Sequence, residues 1–130
     1  MNTNFGFGKP VDAKFDDAIE QVTEELAKEG FGILTEIDVA ATLKKKLDED
    51  MPPYRILGAC NPALAHQAVT AVPEIGLLLP CNVLVREDAA GQVHVSFMDP
   101  GAVLGLVNVP EVEPLAAQVK EKLTRVMDNL

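Results

Sequence analysis

The chain has 130 residues, of which 48% are hydrophobic and 5% aromatic, with no Trp, so one domain with an aliphatic core is expected. Its formal charge of −9 repels phosphate backbones and argues against nucleic-acid binding; Lys44, Lys45 and Lys46 read as a solvated helix face. No apolar run approaches the roughly 18 residues that span a bilayer, Met1 to Lys9 lacks the apolar region of a signal peptide, and two cysteines without such a signal point to a reducing, cytoplasmic compartment.

Taken in chain order, Asn4 to Val11 reads as a first strand interrupted by Gly6 and Gly8. Asp12 to Glu29 is the clearest helix. Phe15, Ile19, Val22 and Leu26 recur at helical spacing, Asp12 is placed to cap it, Asp16 and Asp17 suit its positive end, and Gly30 ends it. Phe31 to Ile37 is a strand. Asp38 caps a shorter helix to about Leu47, and a loop through Pro52 and Pro53 follows.

Tyr54 to Cys60 is the third strand. Asn61 and Pro62 open a helix that Pro73 closes, and Gly76 to Leu79 reads as buried irregular structure or a brief turn. Cys81 to Glu87 and Gln92 to Met98 are strands of a hairpin joined by Asp88-Ala89-Ala90-Gly91. In the second of these, Val93, Val95 and Phe97 alternate with His94, Ser96 and Met98, as in a half-buried strand. Asp99 caps a helical turn to Leu106. Glu111 to about Asn129 is the closing helix, with Leu115, Val119, Leu123, Val126 and Leu130 as its apolar stripe.

This order, with its final hairpin, predicts a single α+β domain over residues 1–130. The expected fold is a two-layer sandwich: a mixed, mostly antiparallel sheet of about five strands with helices on one face. Leu84 faces away from Val83 and Val85, so the second sheet face also carries apolar surface. A homodimer that covers it is expected.

Four segments resemble the signatures of the DUF302 family. They are Gly30-Phe31-Gly32-Ile33-Leu34-Thr35-Glu36-Ile37-Asp38-Val39, Tyr54-Arg55-Ile56-Leu57-Gly58-Ala59-Cys60-Asn61-Pro62, Ile75-Gly76-Leu77-Leu78-Leu79-Pro80-Cys81-Asn82-Val83 and Asp99-Pro100. The resemblance covers nearly the whole chain and is weakest over Asn2 to Gly8. It implies a compact α+β domain, dimeric in related structures. The family name denotes unknown function, so the resemblance implies a fold and no activity.

The repeated dipeptide Cys60-Asn61 and Cys81-Asn82 is the most unusual local feature. If the two strands are antiparallel neighbours, a cysteine pair shares one end of the sheet. Cys60 precedes a helix, whose amides stabilise a thiolate, and Cys81 would then be a resolving thiol. Cys60, Cys81 and His66 together would be three ligands of a metal site, although their spacing matches no recognised motif. The bland alternative makes both cysteines small core residues of a structural partner-binding domain. Arg55 is suited to bidentate carboxylate recognition, or to an ion pair with Glu36; Asp38 and Asp99 are explained by capping. The first expectation is a small-molecule site built from Cys60, Asn61, Cys81, Asn82 and Arg55. A thiol-based redox or metal-dependent enzyme and a structural domain stand beside it. No glycine-rich phosphate loop, serine elbow or Cys-X-X-Cys motif is present.

Overall fold

A computed structural model describes residues 2–130. Strands β1 (Gly6–Val11), β2 (Gly32–Asp38), β3 (Tyr54–Cys60), β4 (Cys81–Glu87) and β5 (Val93–Met98) form one sheet in the order β1-β5-β4-β3-β2. Every neighbouring pair is antiparallel, so the sheet is not mixed. The first two strands in sequence lie at opposite edges. Helix α1 (Phe15–Lys28) carries the chain across the sheet between them. The remaining helices are α2 (Val39–Leu47), α3 (Pro62–Ala71), α4 (Pro100–Leu104) and α5 (Val112–Asp128). Among the described residues, no helix is long and apolar enough to cross a membrane.

Local chemistry explains most of the helix ends. The carboxylate of Asp38 accepts from the Ala41 amide, Asn61 from Leu64, and Asp99 from Gly101 and Ala102, each satisfying amides that the first turn leaves unpaired. Gly30 takes φ +85°, the left-handed conformation that ends α1. Asp12 does not cap α1; Lys14 occupies the cap position with no side-chain bond, and the helix starts at Phe15. Around Gly76 the chain forms the brief turn expected there, a 3₁₀ turn over Pro73–Leu78 that buries Ile75 but leaves Leu77 exposed. Strand β1 begins at Gly6 rather than Asn4, because Thr3 and Gly6 close a turn through the Thr3 amide and the Gly6 carbonyl at 2.9 Å.

The register sorts the strand residues onto two faces, since opposed residues share a face and successive ones alternate. Leu57, Ala59, Cys81, Val83, Val85, Val93, Val95 and Phe97 point into the helix layer and are buried. They meet Val22 and Leu26 of α1, Leu64 and Ala68 of α3, and Leu115, Val119, Leu123 and Val126 of α5. Full burial of each such aliphatic side chain contributes about 1.5–3 kcal/mol relative to exposure. The core is mainly aliphatic, with Phe31 and Phe97 as its buried aromatics.

The residues that alternate with these form the opposite, open face of the sheet. Its outward positions hold Ile37, Tyr54, Ile56, Leu84 and Met98 among the polar side chains of Thr35, Asn82, Arg86, His94 and Ser96. Although the chain has 20 carboxylate residues, none occupies an outward position of the five strands. Asp88, in the β4–β5 loop, reaches the margin of this face. It meets the His94 ring at 2.8 Å, and that contact holds its carboxyl below the usual value.

Close approach fixes the β1 edge of the open face. A Cβ on Gly8 would overlap the Val95 carbonyl oxygen and lie 2.7 Å from the Ser96 Cα, both backbone atoms that cannot rotate away. Gly32, on the far edge strand, has nothing within 4 Å of such a Cβ. Gly8→Ala is therefore expected to cost ~1–3 kcal/mol and Gly32→Ala well under that, read as shifts in the urea midpoint.

Candidate functional site

The sequence-derived address is the end of the sheet where β3 finishes and β4 begins. Antiparallel pairing does bring both Cys-Asn dipeptides to that end, with Ala59 opposite Cys81 and Gly58 opposite Asn82. The expected cysteine pair does not form. Cys81 faces Ala59 rather than Cys60, and a one-residue offset puts neighbouring side chains on opposite faces. Both cysteines are free thiols, Cys81 buried and Cys60 half-buried.

Cys81 is a core residue, 5% exposed. Burial pushes its thiol up to about 11, and the Cys60 charge adds to that. A thiol so placed is a poor nucleophile at neutral pH. Asn61 has two structural duties. Its carbonyl oxygen accepts from the Leu64 amide at 3.3 Å, and its amide donates to the Glu29 carbonyl at 3.3 Å, tying the end of α1 to the start of α3. One first-turn amide of α3, that of Leu64, is thus engaged by Asn61 rather than by a Cys60 thiolate. Asn82 is exposed on the open face.

Cys60, Asn61 and Cys81 border a cavity of about 40 Å³ whose walls include Phe31, Leu64, Leu79, Leu104, Leu115 and Val119. That volume is close to one or two water molecules, against the ~300–1,000 Å³ of ordinary ligand pockets. His66 is exposed on α3 and does not line it. Among the described residues, no group of three or more His, Cys, Asp or Glu is placed to hold a metal ion.

Arg55 lies at the opposite end of β3, five residues from Cys60 and so about 17 Å along the strand. Its guanidinium bonds Glu36 at 2.9 Å, meets Asp38 at 3.5 Å and lies 5.7 Å from the Phe15 ring centroid. Arg55 is thus an organised ion-pair residue on the helix side of the sheet, separate from the cysteine end. Asp99 pairs with Lys120 at 2.6 Å. Burial opposes its ionisation, but Lys120 and the Ala102 and Gly101 amides outweigh that and leave its pKa below the ordinary value.

Another concavity lies along the outward residues of β4 and β5. A groove of about 410 Å³ is walled by Phe5, Phe7, Leu84, Met98 and Val103, with Thr3, Asn82, Ser96 and Arg86 supplying polar groups. Arg86 is the one charged side chain among these lining residues. Phe5 is 64% exposed at its rim. Of the sequence-derived site residues only Asn82 belongs to it. The available signal was the outward parity of Asn82, Leu84 and Arg86 on β4 together with Ser96 and Met98 on β5.

A family model described as a domain of unknown function, DUF302, matches residues 7–130, and the chain belongs to that family. The crystal structure of an uncharacterized conserved DUF302 protein from Bacillus stearothermophilus is similar at 28% sequence identity and a TM-score of 0.89, over 96% of this chain and 97% of that one. No curated protein matches.

The two thiols should separate in labelling. With iodoacetamide at pH 8, native Cys81 is expected to stay unmodified, with roughly one thiol in a thousand ionised, and to react once urea unfolds the chain. Mass mapping that finds Cys81 alkylated as fast as Cys60 in the native state would contradict this placement.

Proposed function

We propose that this DUF302 chain is a cytoplasmic, homodimeric domain that binds a small molecule on its open sheet face. The observation that carries the reading is the composition of that face. A chain of net charge −9 with 20 acidic residues keeps carboxylates off every outward strand position of the sheet, and places Ile37, Tyr54, Ile56, Leu84 and Met98 there. A face meant for water would carry the charges that dominate the rest of the surface. A face that meets a second copy must avoid them, because two like-charged surfaces repel and a buried unpaired carboxylate is costly.

Size supports the same reading. Five strands at ~4.8 Å spacing and six residues at ~3.3 Å rise project roughly 500 Å², and the accessible area of such a relief is larger. A standard stable contact takes about 800 Å² from each partner, which the face approaches with the exposed Phe5 and Ile37 at its margins. The 410 Å³ groove lies along the outward residues of β4 and β5, on the same face. The groove, not the 40 Å³ cavity at Cys60 and Cys81, has the volume of a ligand site. Both cysteines as free thiols are in keeping with a reducing compartment.

Sedimentation equilibrium at micromolar concentration is expected to give twice the chain mass. Leu84→Glu, which sets a carboxylate in the middle of the face, should raise the dimer dissociation constant roughly 100-fold. Leu77→Glu, on a residue 83% exposed away from the sheet, should not. A wild-type chain that sediments as a monomer at about 50 μM, where a dissociation constant of that size corresponds to about 6 kcal/mol, overturns the dimer.

A further inference from the structure

We infer that His94 makes the association of two copies pH-sensitive, the dimer holding at neutral pH and weakening as the imidazole takes up a proton; this rests on the reading of the open face as the dimer contact. His94 stands on the outward side of β5, opposite Arg86 of β4 and Pro10 of β1. Its Nε2 lies 2.8 Å from Oδ2 of Asp88. The other oxygen of that carboxylate accepts from the Ala90 and Gln92 amides, both at 3.0 Å, so the β4–β5 loop holds Asp88 in place. The His94 side chain is 15% exposed, and its Nδ1 is buried with no hydrogen-bond partner among the described residues.

A carboxylate accepts hydrogen bonds and does not donate them, so neutral His94 spends its one N–H on Asp88 and keeps Nδ1 as a bare lone pair. Protonation puts a second N–H at Nδ1, where the chain offers no acceptor. In a single copy a small movement of the ring brings that N–H to water. Beneath a second copy it stays buried and unpaired, which is costly. The proton and the second copy therefore compete for the same face.

Few charged groups face the ring. Asp88 favours the imidazolium, but it is bonded to the ring in the single chain already and biases both states alike. Arg86, which has an interaction of its own, keeps its positive charge throughout. Tyr54 lies beyond Arg86 on β3, and the register puts Glu87 and Lys9 on the helix side. A contact between two identical faces also receives one new positive charge from each copy. The sign is diagnostic. A chain of net charge −9 repels itself less as its carboxylates take up protons, so net charge alone would tighten association in acid.

Sedimentation equilibrium at about pH 7.5 and about pH 5.8 tests this, with far-UV circular dichroism showing that the chain stays folded at both. The dimer dissociation constant is expected to rise at least about tenfold at the lower pH. His94→Gln, uncharged at both, should abolish the rise; His94→Asn serves if that chain does not fold. His66→Gln, at the chain's other histidine, exposed on α3, should retain it. A wild-type dissociation constant that is unchanged or lower at the acid pH overturns the switch and leaves the dimer. A rise that persists without His94 overturns its assignment to that residue. A monomer at both pH values overturns switch and dimer together.

Discussion

The antiparallel pairing of β3 with β4 is the constraint on which the rest depends. Its register, Ala59 opposite Cys81 and Leu57 opposite Val83, decides which side of each central strand meets the helices. A slip of one residue would turn Val83 and Val85 to the open face and bring Leu84 and Arg86 into the core, where an unpaired guanidinium is costly. The alternation of Val93, Val95 and Phe97 on β5 locks the same choice on the other side of β4. One register therefore fixes the core and separates the two cysteines. It also sets Asn82, Leu84 and Arg86 side by side on the open face.

Local signals were legible where their cause is local. The caps at Asp38, Asn61 and Asp99 and the stop at Gly30 follow from side chains within four residues of the backbone groups they serve. The stripe of α5 followed from periodicity alone, and the Arg55–Glu36 pair from two residues on facing strands. Asp12 misled because a capping residue type is necessary but not sufficient; β1 continues to Val11, and the chain enters α1 two residues later than the cap rule alone suggests. The strand order was not legible. Nothing local in Gly6–Val11 or Gly32–Asp38 says that these strands take opposite edges; that is settled by which faces α1 must bury.

The candidate site shows the same division. The Cys-Asn repeat correctly indicated that two strand ends meet, but parity then divided its members. Cys81 became core, Asn61 became a helix cap, and Asn82 went to the open face. The groove was invisible as a motif because its residues come from the N-terminal segment, β1, β4, β5 and α4. What a single sequence does hold is a parity pattern: acidic residues are spread along the chain yet missing from one side of every strand. The pattern becomes visible once the register is known.

A second copy of the chain is proposed to cover this face. Isotope-filtered nuclear Overhauser spectroscopy on a mixture of labelled and unlabelled chains tests it most directly. Intermolecular contacts are expected to the methyl groups of Ile56, Leu84 and Met98 and none to those of Val22 or Leu123, which the helix layer encloses. Intermolecular contacts confined to the helical side, or a complete absence of them at millimolar concentration, would contradict it.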